Sequence, residues 1–178
     1  VKEIEELIEI YFQHMQLPEE TTLYDYLLLS LRKKDIIATF NWDPLLGQAF
    51  ARNKNIIGYE NMPEIVYLHG NVAIGVCYQC FTKGWRYNNC NECKKPFSAS
   101  KLLYPVSNKN YSKDPFLRGE WGKLKKYIQN AYFITIFGYS APVTDTEAKE
   151  LLLEAWKRNE TTDFGLFNLI DKKTSDVI

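Results

Sequence analysis

The stretch Asp35-Ile36-Ile37-Ala38-Thr39-Phe40-Asn41-Trp42-Asp43-Pro44 decides the fold. Its first six residues are a short, β-rich apolar run without polar alternation, the pattern of a parallel strand buried on both faces. The run stops at polar residues, and Pro44 suits the first position of a helix carrying Leu45, Leu46, Ala49 and Phe50. The same succession returns downstream. Glu64 to Leu68 reads as a strand ending at His69-Gly70. Ala131 to Phe137 reads as the strongest strand, ending at Gly138-Tyr139-Ser140, and Phe164 to Ile170 as a last strand containing Asn168. Ile56-Ile57 reads as a further brief strand. Ile4, Leu7, Ile8, Tyr11, Phe12 and Met15 recur at helical spacing and predict a helix up to Gln16, where Leu17-Pro18 breaks it. Thr21 or Thr22 caps a second helix reaching Lys33. Residues 102–120 read mainly as loop, and Trp121, Leu124, Tyr127 and Ile128 as helix. Thr144 or Asp145 caps a helix with Ala148, Leu151, Leu152 and Trp156. Helices alternating with apolar strands predict an α/β domain over residues 1–178, a Rossmann-like parallel sheet flanked by helices.

Interrupting that succession are four cysteines in two close pairs, Cys77-x-x-Cys80 and Cys90-x-x-Cys93, which are all the cysteines of the chain. A two-residue spacing lets a short turn aim both sulfurs at one ion, and four thiolates suit tetrahedral zinc. Disulfides are the competing reading, but pairs two residues apart suit a metal or redox motif better than a structural staple. Residues 71–100 are therefore expected to form a small inserted zinc module in a protein of the reducing cytoplasm. Zinc there is structural, because four thiolates leave no open position for substrate.

Composition narrows the function classes. Hydrophobic residues at 46% and aromatics at 15% support a packed core. Lys+Arg equals Asp+Glu at 22 each, so no broad field draws the chain to nucleic acid or to a membrane. No apolar run is long enough to span a bilayer, and VKEIEELIEI does not resemble a secretory signal. One local patch, Lys83, Arg86, Lys94 and Lys95 with Trp85 and Tyr87, keeps a nucleic-acid or protein contact open, although a solvated zinc module commonly looks the same.

Three strand ends carry groups capable of chemistry: Asn41 and Asp43, His69, and Ser140. In open parallel sheets ligands bind outside the carboxyl ends of strands, so these ends are expected to converge. Each has an ordinary reading as well. Asn and Asp favour turns and helix caps, a histidine before glycine is often a turn residue, and Gly138 can simply end a strand. His14, on the first helix, is expected to be solvated.

Taken in order, these pieces resemble the sirtuin superfamily over roughly residues 35–170. The Asn-x-Asp element after a strand stands here as Asn41-Trp42-Asp43, the His-Gly element as His69-Gly70 with the four-cysteine module directly after it, and the late Gly-x-Ser as Gly138-Tyr139-Ser140. Phe137 to Asp145 looks like the GYS-x-P-x-x-D stretch of the sirtuin-like domains of bacterial antiphage proteins, as do Leu103-Tyr104-Pro105 and Lys109-Asn110-Tyr111. The Phe-Gly-Glu element of deacylases does not follow Cys93. The Gly-Ala-Gly loop that cradles the NAD pyrophosphate in sirtuins is not found in this sequence, whose first glycine is Gly47. It is expected upstream of Val1; supply by another chain, or weak NAD binding, are the alternatives.

The resemblance implies NAD as substrate, cleaved to nicotinamide and ADP-ribose, and NAD depletion in antiphage defence. Asn41 would hold a water or ribose hydroxyl and His69 would act as base, a role that suits an imidazole with an unperturbed pKa near ~6.5. Asp43 would bind the nicotinamide carboxamide, Gly138 and Ser140 phosphate or ribose, and Asn168 the adenosine ribose. Gating by a homo-oligomer or a regulatory protein partner is implied too. Two other classes stay open: a non-catalytic zinc-containing scaffold or regulatory domain, and an NAD-dependent protein deacylase.

Overall fold

The structure, a computed structural model, describes residues 2–104, 113–139, 142, 145–159 and 166–170. The expectations for Ser140, Thr144, Phe164 and the stretch Pro105 to Tyr111 fall outside them. The elements run α1 (Lys2–Gln13), α2 (Leu23–Ser30), β1 (Ile36–Thr39), α3 (Leu45–Ile57), β2 (Glu64–Tyr67), β3 (Ile74–Cys77), β4 (Thr82–Trp85), β5 (Ser98–Ala99), α4 (Pro115–Gln129), β6 (Phe133–Phe137), α5 (Thr146–Lys157) and β7 (Leu166–Ile170).

The chain is α/β with parallel pairing. β1 pairs with β2 in parallel, Thr39 opposite Tyr67, and β6 pairs with β7 in parallel, Thr135 opposite Asn168. Among the described residues these are two separate ladders rather than one continuous sheet. Between them in sequence, β3 pairs antiparallel with β4 and with β5, forming the inserted module. Helix α4 sets Phe116, Leu117, Trp121, Leu124 and Ile128 on one face against Val66, Leu68 and the rest of the core. Burying a side chain such as Leu117 or Leu68, both fully buried, contributes roughly 1.5–3 kcal/mol.

Several boundaries differ from the sequence expectation, each for a local reason. Helix α1 ends at Gln13 rather than Gln16, and Ile4, Leu7 and Tyr11 face outward. Helix α2 stops at Ser30, three residues short of Lys33. Ile56-Ile57 is the last turn of α3 and not a strand, because Leu46, Ala49 and Asn53 hold one continuous buried helical face. Helix α4 starts at Pro115, inside the expected loop, with Asp114 Oδ1 accepting from the amides of Phe116 and Leu117 at 3.0 Å each. Strand β6 is not covered on both faces: Phe133 and Phe137 are 49% and 70% exposed.

Candidate functional site

Register builds the site. Thr39 and Tyr67 are partners at the carboxyl ends of β1 and β2, so Asn41 and His69 leave adjacent strands two residues further on. The amide of Leu68 donates to Thr39 O at 2.9 Å, and the amide of Val72 to Trp42 O at 3.0 Å, holding the two exits together. Asn41 is exposed, its amide donating to Thr39 Oγ1 at 3.0 Å. With Phe12, Phe40, Trp42 and Asp43 it lines a cavity of about 270 Å³. Tyr24 borders the same place: burial and the Asp43 charge raise its phenol pKa, and a hydrogen bond with Asn41 opposes them.

Asp43 fills the ordinary role as well, its Oδ1 accepting from Leu45 N at 3.0 Å at the start of α3. Its carbonyl accepts from Asn71 Nδ2 at 2.6 Å, tying it to the loop that follows His69. His69 is buried, 6% exposed. Its ring lies 4.7 Å from that of Phe40, and its carbonyl accepts from Leu103 N at 2.9 Å. Gly70 is required here. It adopts φ +78°, and a Cβ would lie 2.0 Å from Lys101 O, so no side chain fits between this turn and the module's exit.

Phe40 is the hub that spacing alone did not single out. It contacts His69 and Trp121 edge-on and stacks on Tyr139, with centroids 4.4 Å apart and planes 5° apart. Tyr139 thus brings the Gly138 corner of β6 to the Asn41–His69 edge. Gly138 has φ +62° and, among the described residues, nothing within 4 Å of where a Cβ would stand, and its amide donates to Ile170 O at 2.9 Å. Burial, the Asp145 charge and a 3.5 Å hydrogen bond to that carboxylate push the Tyr139 phenol up to about 12. Of the expected residues, Asn41, Asp43, His69 and Gly138 are brought together, and Ser140 lies outside the described residues. Asn168 is exposed in mid-β7 opposite Thr135, and no described contact joins it to the cluster. His14 is exposed, its Nδ1 2.7 Å from Ile10 O. A larger cavity of about 440 Å³, between the ends of α1 and β4, contains His14 and Trp85 but none of the site residues.

The four cysteines form one cluster, with all four sulfurs within 4.8 Å of one another and Cys77 and Cys93 Sγ 3.5 Å apart. A tetrahedral zinc ion with bonds of ~2.3 Å separates its thiolates by about 3.8 Å, so the donor set fits zinc. The two knuckles turn alike: Phe81 and Lys94, each directly after the second cysteine of its pair, adopt φ +54° and +62°. Non-glycine residues seldom take that conformation. Burial and the neighbouring thiols push Cys80 up to about 12, while the Thr82 hydroxyl leads the contacts that hold Cys90 at about 6.

No family model matches the sequence, and no curated protein matches it. Its solved neighbours include Sir2 proteins. The chain is similar to Sir2Tm bound to a propionylated peptide, at 17% identity over 78% of this chain and 52% of that one, TM-score 0.41. It is similar to a Sir2 homologue in complex with ADP-ribose, at 14% identity over 86% and 62%, TM-score 0.40. A sirtuin structure concerned with substrate affinity is similar at 15% identity over 79% and 58%, TM-score 0.40. The chain spans about half to three fifths of the length of these structures.

Proposed function

We propose that this chain is a sirtuin-like domain that hydrolyses NAD to nicotinamide and ADP-ribose, with a structural zinc ion on Cys77, Cys80, Cys90 and Cys93. The observation that carries the reading is the meeting of Asn41, His69 and the Gly138–Tyr139 corner around Phe40, at the carboxyl ends of parallel strands. Parallel sheets bind ligands there. In the reaction the bond between nicotinamide nitrogen and the anomeric carbon breaks, a water oxygen bonds to that carbon, and neutral nicotinamide leaves with the bonding pair. Asn41, exposed at the end of β1, orients the water or a ribose hydroxyl. His69, largely shielded from solvent, accepts the proton. Asp43 spends Oδ1 on Leu45 N and offers its other oxygen to the carboxamide NH₂. Gly138, with no obstacle among the described residues where a side chain would stand, lets a phosphate or ribose approach the backbone, with Ser140 two residues on in sequence. The biological use that accompanies this reading, on the resemblance of Phe137 to Asp145, is NAD depletion in antiphage defence.

The test is NAD consumption by the full-length parent protein, with products identified by mass spectrometry. Free ADP-ribose is expected, and Asn41→Ala and His69→Ala, matched for folding, are each expected to lose 10²-fold or more, as for removal of a positioning or general-base group (roughly 10²–10⁴-fold). O-acyl-ADP-ribose formed only with an acylated peptide would replace hydrolysis by deacylation. No turnover from a folded, metal-loaded protein would favour the scaffold reading, and unchanged rates in both variants would refute the site.

A further inference from the structure

We propose that the ion pair between Lys83 and Glu120 is a positioning element for His69, and that it transmits the metal state of the cysteine cluster to the imidazole. The amides of Glu64 and Leu68 donate to Asp35 O and Thr39 O, so the even-numbered residues of β2 face β1. With a backbone period of two, Ile65 and Tyr67 present their N–H and C=O groups to the opposite edge. Among the described residues no strand pairs there. Instead, Glu120 Oε2 of α4 accepts from Tyr67 N at 2.9 Å, and Lys83 Nζ of β4 donates to Ile65 O at 2.5 Å. The two side chains meet at 2.7 Å. Together they reproduce the one acceptor and one donor that a residue of a neighbouring parallel strand would supply.

Glu120 is buried, 3% exposed, and the pair closes the strand two residues before His69. One helical position on, Trp121 Nε1 donates to Leu68 O at 3.2 Å, so α4 grips the last peptide before the histidine. The other end of the link lies in the metal module. Lys83 is opposite Val76, which precedes Cys77, and it follows Thr82, whose Oγ1 is 3.3 Å from Cys90 Sγ. A metal that fixes the sulfurs therefore fixes the base of the Lys83 side chain. The inference rests on the reading of His69 as the base, while its test observes the imidazole directly.

The chain has only two histidines, and His14 lines the cavity beside Trp85 and Arg86 at the end of β4. Side-chain labelled histidine therefore gives only two imidazole spectra by NMR, and His69 is assigned by the signals that a His14→Gln variant keeps. In zinc-loaded protein, Lys83→Met is expected to shift the His69 signals, and Lys83→Arg, which can still bridge Glu120 and Ile65 O, to restore them. Glu120→Gln keeps an acceptor for Tyr67 N but removes the charge, and is expected to shift His69 the same way; it carries the test if Lys83→Met does not fold. Chelation is expected to move the His69 signals of wild type, by at least twice as much as in the uncoupled variant. His69 signals unchanged by both variants, or a chelation shift of equal size with and without the pair, would overturn the proposal. NAD turnover measured on the same samples separates the two readings: a coupled His69 response without turnover refutes hydrolysis and leaves the link standing.

Discussion

Asp25 shows what a single residue can contribute outside the site. It is 2% exposed, yet its carboxylate accepts from Arg52, from Asn53 Nδ2 at 2.6 Å, and from Thr22 N and Oγ1 at 2.7 Å each. Burial alone would raise its pKa, but the Arg52, Thr22 and Asn53 hydrogen bonds outweigh it and hold the carboxyl well below the usual range. A depressed folded-state pKa contributes stability above the unfolded value of ~3.9, and that stability drains away as pH falls through the folded value. Asp25→Asn is expected to cost about 3 kcal/mol in urea unfolding near neutral pH, the low end of ~3–5 for breaking a buried pair, because the Arg52 side chain is 34% exposed. It should also flatten the loss of stability that wild type shows below about pH 4; an unchanged acid limb would remove Asp25 as its source. Thr22 was legible as a cap, but nothing in the spacing of Asp25 and Arg52 announced their pairing, since long-range charge partners leave no periodic trace. The convergence of Asn41, Asp43 and His69 was legible because parallel strands bring their carboxyl ends to one edge, where ligands bind in such sheets.

At the scale of elements, an Asp-Pro pair opens both α3 and α4: Asp43 and Asp114 each accept from amides of the first turn that follows. The first was read from sequence, and the second was missed because Arg118, Gly119 and Glu120 blur the helical period. Glu120 sits on the buried face all the same, its charge met by Lys83. Asp114 has a second duty. Its Oδ2 accepts from the Tyr78 hydroxyl at 3.1 Å, between the first two cysteines, and burial with this carboxylate raises the phenol to about 12. Asp114→Ala should therefore do two separable things. Unfolding stability should drop by about 1 kcal/mol, as for loss of a helix cap, and ultraviolet titration should show Tyr78 ionising closer to ~10. Because the folded pKa is raised, the Tyr78 contribution is present below ~10 and disappears as pH climbs towards 12, so the gap between wild type and variant should narrow at alkaline pH to the share of the cap alone. A Tyr78 titration untouched by the substitution would show that the knuckle is not fastened to α4.

Across the whole molecule, sequence order showed that parallel strands and a cysteine module coexist, but not how they share support. Asn41 and His69 become neighbours through the β1–β2 register, and the Gly138 corner joins them through the Phe40–Tyr139 stack. Aromatic contacts between ladders have no signature in a linear pattern, which is why Phe40 and Tyr139 went unread while the residues beside them were singled out. The module grips this centre along Ser100 Oγ to Asn71 O at 2.7 Å, Leu103 N to His69 O at 2.9 Å, and the Lys83–Glu120 pair. By contrast, β6 pairs with β7, outside that set of links. Structural zinc sites couple binding to folding, with apparent free energies of roughly 10–16 kcal/mol in small modules, and a ligand of the native state alone raises apparent stability by mass action. The protein is therefore expected to hold one zinc ion per chain by elemental analysis and to release it to a strong chelator with a lower unfolding temperature. Hydrogen exchange after chelation should accelerate from His69 to Leu103 and change little from Phe133 to Phe137. Uniform acceleration over both regions would mean that the metal supports the entire fold rather than the module and the histidine edge it braces, and no metal in freshly purified protein would overturn the zinc assignment itself.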